Sequence, residues 1–151
     1  MRVLIIYDSV FSNTEQIAQA IGNALGSQKD VEILRVNIVK IEQLTGLKLL
    51  FVGSPTLGGR PTQAIQDFLN KVSDATFKGI NVVAFDTRLS TRMVGIFGYA
   101  AGRIAECLEK KGGTLIAPPE GFFVKGKKGP LKDGEFERAA SWAKAIVMSE
   151  K

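Results

Sequence analysis

Three near-continuous apolar runs, Val3-Leu4-Ile5-Ile6-Tyr7, Leu49-Leu50-Phe51-Val52 and Ile80 to Phe85, constrain the fold more than anything else in this chain. Runs this short and unbroken are what strands look like when helices cover both faces of their sheet. Each run leads through polar or glycine-rich residues into helical spacing. Ile17, Ala18, Ile21 and Leu25 follow the first, with Gly26 as a C-cap. Ile65, Phe68, Leu69 and Val72 follow the second, and Ile104, Cys107, Leu108 and Lys111 follow the third.

The remaining segments fill in the same alternation. Val31 to Val36 alternates only in part, which suits a strand nearer an edge, and 37–46 reads as a short, weak helix. Thr114 to Ala117 starts a further strand that Pro118-Pro119 interrupts and Phe122-Phe123-Val124 resumes, so the proline pair marks an edge, bend or bulge. The basic, glycine-rich segment 125–134 is expected to be a surface loop. Glu135 to Met148 is the closing helix, with Phe136, Ala139, Ala140, Ala143 and Ile146 inward and Trp142 bordering that stripe.

Five alternating strands and helices predict an α/β fold built on a parallel sheet, with helices on both faces and right-handed crossovers. A length of 151 residues suits a single domain spanning 1–151. Ligands of such sheets bind beyond the carboxyl ends of the strands. The loops leaving strands one, three and four, residues 8–14, 54–61 and 86–92, are therefore expected to share one site.

Composition narrows the chemistry. The chain has no histidine and one cysteine, Cys107, which removes the usual general base, any disulfide within the chain and any multi-thiolate metal site. No catalytic residue and no metal ligand is assigned; a cofactor is expected to supply any chemistry. The net charge of +5 and pI near 9.4 raise nucleic acid as a partner. The excess, however, lies in Lys125, Lys127, Lys128 and Lys132 and in Arg88 and Arg92, without interleaved aromatics, and nucleic-acid binding is not expected. No apolar run is long enough to span a membrane, and the expected location is cytoplasmic.

The first loop, Tyr7-Asp8-Ser9-Val10-Phe11-Ser12-Asn13-Thr14-Glu15, has two readings. As a capping box it employs Ser12 at the N-cap and Glu15 three positions later, and leaves Ser9, Asn13 and Thr14 idle. As a phosphate site it employs all of them, together with main-chain N–H groups at the positive end of a helix. No Gly-x-x-x-x-Gly-Lys-Ser/Thr and no Gly-x-Gly-x-x-Gly follows the first strand, so neither a nucleotide P-loop nor a dinucleotide turn is supported. A phospho-receiver is unsupported too: it would want an acidic pair after strand one and an aspartate after strand three, whereas Asp8 stands alone and Ser54 occupies the later position.

This loop resembles the FMN-phosphate loop of the flavodoxin family, whose pattern Ser/Thr-x-Thr-Gly-x-Thr often runs S-T-T-G-N-T-E. The resemblance covers the whole chain, and it implies a flavodoxin-like three-layer sandwich with a five-stranded parallel sheet of order 2-1-3-4-5. By that analogy Ser9, Val10, Phe11, Ser12, Asn13 and Thr14 hold the FMN phosphate. Pro55, Thr56, Leu57 and Gly58 cover one face of the flavin, and Asp86, Thr87 and Arg88 begin the loop on its other face. Met93, Phe97 and Tyr99 are further candidates to reach the ring.

The departures from the pattern carry their own expectations. Phe11 and Ser12 replace the usual Thr-Gly. Asp8 replaces a frequent glycine and is expected to turn from the phosphate toward a backbone N–H. Leu57 stands near the position of the tryptophan many flavodoxins stack on the flavin, while Trp142 is expected in the core. The resemblance implies an electron carrier that shuttles one or two electrons between redox partners, and the basic balance implies a partner protein with an acidic docking surface. The alternatives are an FMN-dependent oxidoreductase acting on a quinone or porphyrinogen, in which Arg88, Arg92 and the loop 118–128 would shape a substrate pocket over the flavin, and a flavin-free binding module that shares only the fold.

Overall fold

The computed structural model describes residues 2–26, 30–89 and 99–149. The first apolar run forms strand β1 (Arg2–Tyr7), and helix α1 (Asn13–Leu25) follows the polar turn. Strand β2 (Asp30–Arg35) leads into two 3₁₀ turns, Val36–Ile38 and Ile41–Leu44, where a short helix was expected. Strand β3 (Leu49–Pro55), helix α2 (Gln63–Lys71), strand β4 (Asn81–Leu89) and helix α3 (Ala100–Lys110) come next. The chain continues through β5 (Thr114–Leu115) and β6 (Glu120–Val124) to helix α4 (Glu135–Ser149).

The sheet is parallel and ordered β2-β1-β3-β4-β5, the order the resemblance implies, with β6 also paired to β4. The broken fifth strand is real: β5 pairs with the start of β4 (Asn81 with Thr114) and β6 with its end (Leu89 with Val124). Pro118-Pro119 separates the two pieces, since proline has no N–H to give a ladder.

Strand periodicity sorts the core into two layers. Leu4, Ile6, Leu50, Val52, Val82 and Ala84 pack with Ile65, Phe68 and Leu69 of α2 and Ile104 and Leu108 of α3. Their neighbours Val3, Ile5, Leu49, Phe51, Val83 and Phe85 pack on the other face with Ile17 and Ile21 of α1 and Ala139, Ala143 and Ile146 of α4. Gly53 of β3 is bare because the Phe85 ring lies across it: a Cβ there would stand 2.2 Å from Phe85 Cζ. Trp142 packs against this second layer and Cys107 against the first, as their positions on helical stripes suggested. Phe136 departs from expectation. It lies at the start of α4 and is 44% exposed. No helix among the described residues is long and apolar enough to cross a membrane.

Candidate functional site

At the carboxyl ends of β1, β3 and β4 the three predicted loops surround a cavity of about 360 Å³, within the usual range of small-molecule sites of ~300–1,000 Å³. Ser9, Val10, Phe11, Asn13 and Thr14 line it from the first loop. Pro55, Thr56, Leu57, Gly58 and Gly59 line it from the second, and Thr87, Arg88 and Leu89 from the end of β4. Val124, at the end of β6, and Lys127, from the segment expected to be a surface loop, complete the wall.

The first loop does not form a capping box. Ser12 sits at the N-cap of α1 with φ +64° and no side-chain cap hydrogen bond. Ser9 takes that role instead, its Oγ accepting from the Glu15 N–H at 3.3 Å, while the Glu15 carboxylate accepts from Tyr7 Oη at 3.2 Å. Burial first, then the neighbouring Glu15, pushes the Tyr7 phenol above its ordinary pKa. The left-handed backbone explains why the family pattern carries glycine where this chain has Ser12. Ser12 is exposed, and its side chain is not part of the cavity wall.

What the turn leaves free is its backbone. Among the described residues, none of the six main-chain N–H groups from Ser9 to Thr14 donates to a protein acceptor. Buried Asn13 and Thr14 lie in the first turn of α1, where the helix supplies no acceptor. Asp8 is turned away from this array, although its partner is a guanidinium and not the backbone N–H expected of it: Arg35 Nη1 donates to Asp8 Oδ1 at 2.9 Å and to the Ser9 carbonyl at 3.1 Å. The donor array, with no carboxylate in the cavity wall among the described residues, is the chemistry a phosphomonoester needs.

The second loop is held from several sides. Ser54 Oγ accepts from Thr62 N–H at 2.9 Å, Thr56 N–H donates to the Thr87 carbonyl at 2.9 Å, and Thr56 Oγ1 accepts from Ala100 N–H at 3.1 Å. Leu57 and Arg60 exchange main-chain hydrogen bonds around Gly58 and Gly59, at φ +58° and +79°. Positive φ at both central residues defines a two-residue hairpin turn that glycines supply at least cost. Arg103 Nε pins the Gly59 carbonyl at 2.8 Å. Leu57, 42% exposed, and Val10, 52% exposed, leave apolar surface at the cavity mouth.

The third loop begins later than expected. Asp86, Thr87 and Arg88 belong to β4, because β3 on one side and β6 on the other keep the strand paired through this region. Alternation then separates them. Thr87 faces α1, its hydroxyl 2.8 Å from Thr14 Oγ1, and both line the cavity. Asp86 faces α3 and is fully buried, so the structure removes it from the cavity wall. Its carboxylate accepts from Arg88 at 2.7 and 2.9 Å and from Ala101 N–H at 2.9 Å, capping α3. Burial raises the Asp86 pKa, and Arg88, the Ala101 amide and Thr56 counteract the rise. The Arg88 guanidinium lies 3.3 Å from the Tyr99 ring centroid, so that charge is spent on Asp86 and Tyr99. Met93, Phe97 and Arg92 lie outside the described residues.

Gly59 and Leu89 lie in the loops 54–61 and 86–92 expected to share the site but were not singled out as cofactor-binding, and Val124 and Lys127 fall in the loop 118–128, which only the oxidoreductase alternative brings to the flavin. The paired glycines signalled the first of these. Nothing local signalled Val124 or Lys127, whose place depends on how β6 docks. No cluster of metal-ligating side chains occurs among the described residues.

Comparison with known proteins agrees with this fold. The flavodoxin family model matches residues 5–142. A flavodoxin from Picosynechococcus sp. is 28% identical over 138 residues, covering 89% of this chain and 81% of its own. Among solved structures, an archaeal flavodoxin superposes with a TM-score of 0.82 at 24% identity, covering 99% of this chain and 98% of its own. Oxidised flavodoxin 2 of Bacillus cereus gives 0.82 at 22% identity, with 99% of each chain covered.

Proposed function

Since the chain belongs to the flavodoxin family, whose members bind FMN and transfer electrons to partner proteins, we propose that this cavity is its FMN site and that its partner presents an acidic docking surface. The observation that carries the site assignment is the first loop: among the described residues none of its six main-chain N–H groups from Ser9 to Thr14 donates to a protein acceptor, five of these six residues line the cavity, and no carboxylate does. FMN, when bound, accepts and releases electrons at its ring.

The chain's own residues do the rest. The first loop takes the phosphate through its N–H groups and the Asn13 amide, and Ser12 contributes main chain only. Thr87, tied to Thr14, lies between the phosphate loop and the ring loops. Pro55, Thr56, Leu57 and Gly58 cover one side of the ring and exclude water from it. The hydrogen bonds of Thr56 to Thr87 and Ala100 and of Gly59 to Arg103 keep the loop ready before the cofactor arrives, which lowers the ordering cost of binding. Arg88 and Leu89 face the ring from the other side. Asp86 serves indirectly, fixing Arg88 and the start of α3.

The test is reconstitution. The apoprotein is expected to bind FMN stoichiometrically, quench its fluorescence and release unmodified FMN on denaturation. A protein that stays colourless in excess FMN sinks the assignment. The acidic partner follows from the net charge of +5, since opposite charge guides encounter between redox proteins.

A further inference from the structure

The segment 125–130, which the sequence placed in solvent, is folded back against the phosphate loop. Gly129 N–H donates to the Gly126 carbonyl at 2.9 Å, closing a tight turn with Lys127 and Lys128 at its centre. Lys125 N–H donates to the Pro130 carbonyl at 2.8 Å, and Val124 bridges Leu131, so the turn stands on a paired base. Asn13 joins it to the first loop: its Nδ2 donates to the Lys128 carbonyl at 3.3 Å. Gly129, at φ +101°, lies so close that a Cβ would stand 2.5 Å from Asn13 Oδ1.

The lysines of this segment have different fates. Lys125 pairs with Asp133 at 3.6 Å, and Lys132 lies over the Phe123 ring at 5.7 Å. Lys127 makes no ion pair or hydrogen bond among the described residues, and it alone of these lysines lines the cavity. The other cation of the wall, Arg88, is neutralised by Asp86, and the nearby carboxylate Asp8 is neutralised by Arg35. Among the described residues that line the cavity, Lys127 is thus the one cation with no paired charge, on a turn clamped to Asn13 of the anion-binding loop.

We infer that Lys127 is an additional cofactor-binding residue that attracts the phosphate of FMN, and that the Asn13-to-Lys128 clamp places it there. This rests on the FMN site proposed above. The clamp spares the lysine the entropy of finding the anion from a free loop. A phosphate carries close to two negative charges at neutral pH, so one exposed ammonium is worth more against it than in an ordinary surface pair.

The experiment compares dissociation constants for FMN and for riboflavin, which lacks the phosphate, in wild type, K127Q and K127R at low and at high NaCl. K127Q is expected to weaken FMN binding about fivefold at low salt, to leave riboflavin unchanged, and to approach wild type at high salt. K127R should retain wild-type affinity. An unchanged melting temperature of the K127Q apoprotein shows that the fold is intact, as expected for an exposed side chain. Equal losses for FMN and riboflavin, or no loss for either, would overturn the role of Lys127. Wild-type protein that binds neither flavin would overturn the FMN site itself, and this inference with it.

Discussion

Ser12 shows how one residue can bear a conformation its side chain does nothing to support. It holds φ +64° at the entrance to α1 without a side-chain cap bond. A left-handed non-glycine residue costs roughly 1 kcal/mol. Ser12→Gly should therefore raise the unfolding free energy by up to about 1 kcal/mol, measured by urea denaturation, with FMN affinity unchanged because the main-chain N–H remains. A loss of stability would mean that the Ser12 hydroxyl makes a contact of its own. Asp86 shows the opposite arrangement. Its position after an apolar strand was legible and its direction was not, because alternation along β4 becomes decisive only once β6 extends the pairing to Leu89. Likewise, that Asp8 must avoid an anion was legible, whereas Arg35 as its partner depends on β2 lying beside β1.

At the scale of elements, two junctions bind the sheet to what covers it. The first is Gly53 of β3 under the fully buried Phe85 ring of β4. Gly53→Ala should destabilise by about 1–3 kcal/mol through overpacking, and Phe85→Leu in the same chain should recover part of that loss. A Gly53→Ala protein as stable as wild type in urea would refute the clash. The second junction joins β6 to α4. The Glu135 carboxylate accepts from Phe123 N–H at 2.7 Å and from Arg138 at 2.6 and 2.9 Å, and Arg138 also donates to the Gly121 carbonyl and to Glu120. The Arg138 hydrogen bond holds the Glu135 carboxyl below its ordinary pKa. A depressed folded-state pKa stabilises the fold above the unfolded value, about 4.3 for glutamate, and that stabilisation is lost as pH falls through the folded value. Glu135→Gln should cost about 2 kcal/mol at neutral pH, a deficit that shrinks in urea titrations below about pH 4.3. A deficit constant with pH would assign the effect to packing.

For the whole molecule, the parallel sheet and its two covered faces were legible because unbroken strands separated by amphipathic helices admit few other packings, whereas the strand order came from the resemblance. The cavity was legible in its first two loops, which are local in sequence. Its far wall was not: Lys127 reaches it through a turn bound to a residue 115 positions from its partner, Asn13 to Lys128. The net charge of +5 belongs to the molecule as a whole. Electron transfer to an acidic partner protein should slow as NaCl rises from about 50 to about 500 mM, as screening shortens the reach of charge. A rate that rises with salt would contradict an acidic docking surface. One further property follows from the aromatic cluster beneath the sheet. The single tryptophan, Trp142, stands edge-on to Phe51, Phe85 and Phe122 at 5.7, 6.3 and 5.6 Å between ring centroids. Its near-ultraviolet emission therefore reports one defined place, the packing of α4 on β3, β4 and β6, whose carboxyl ends line the cavity. The chain carries its own optical probe, and refolding of that layer can be followed in the apoprotein without a label.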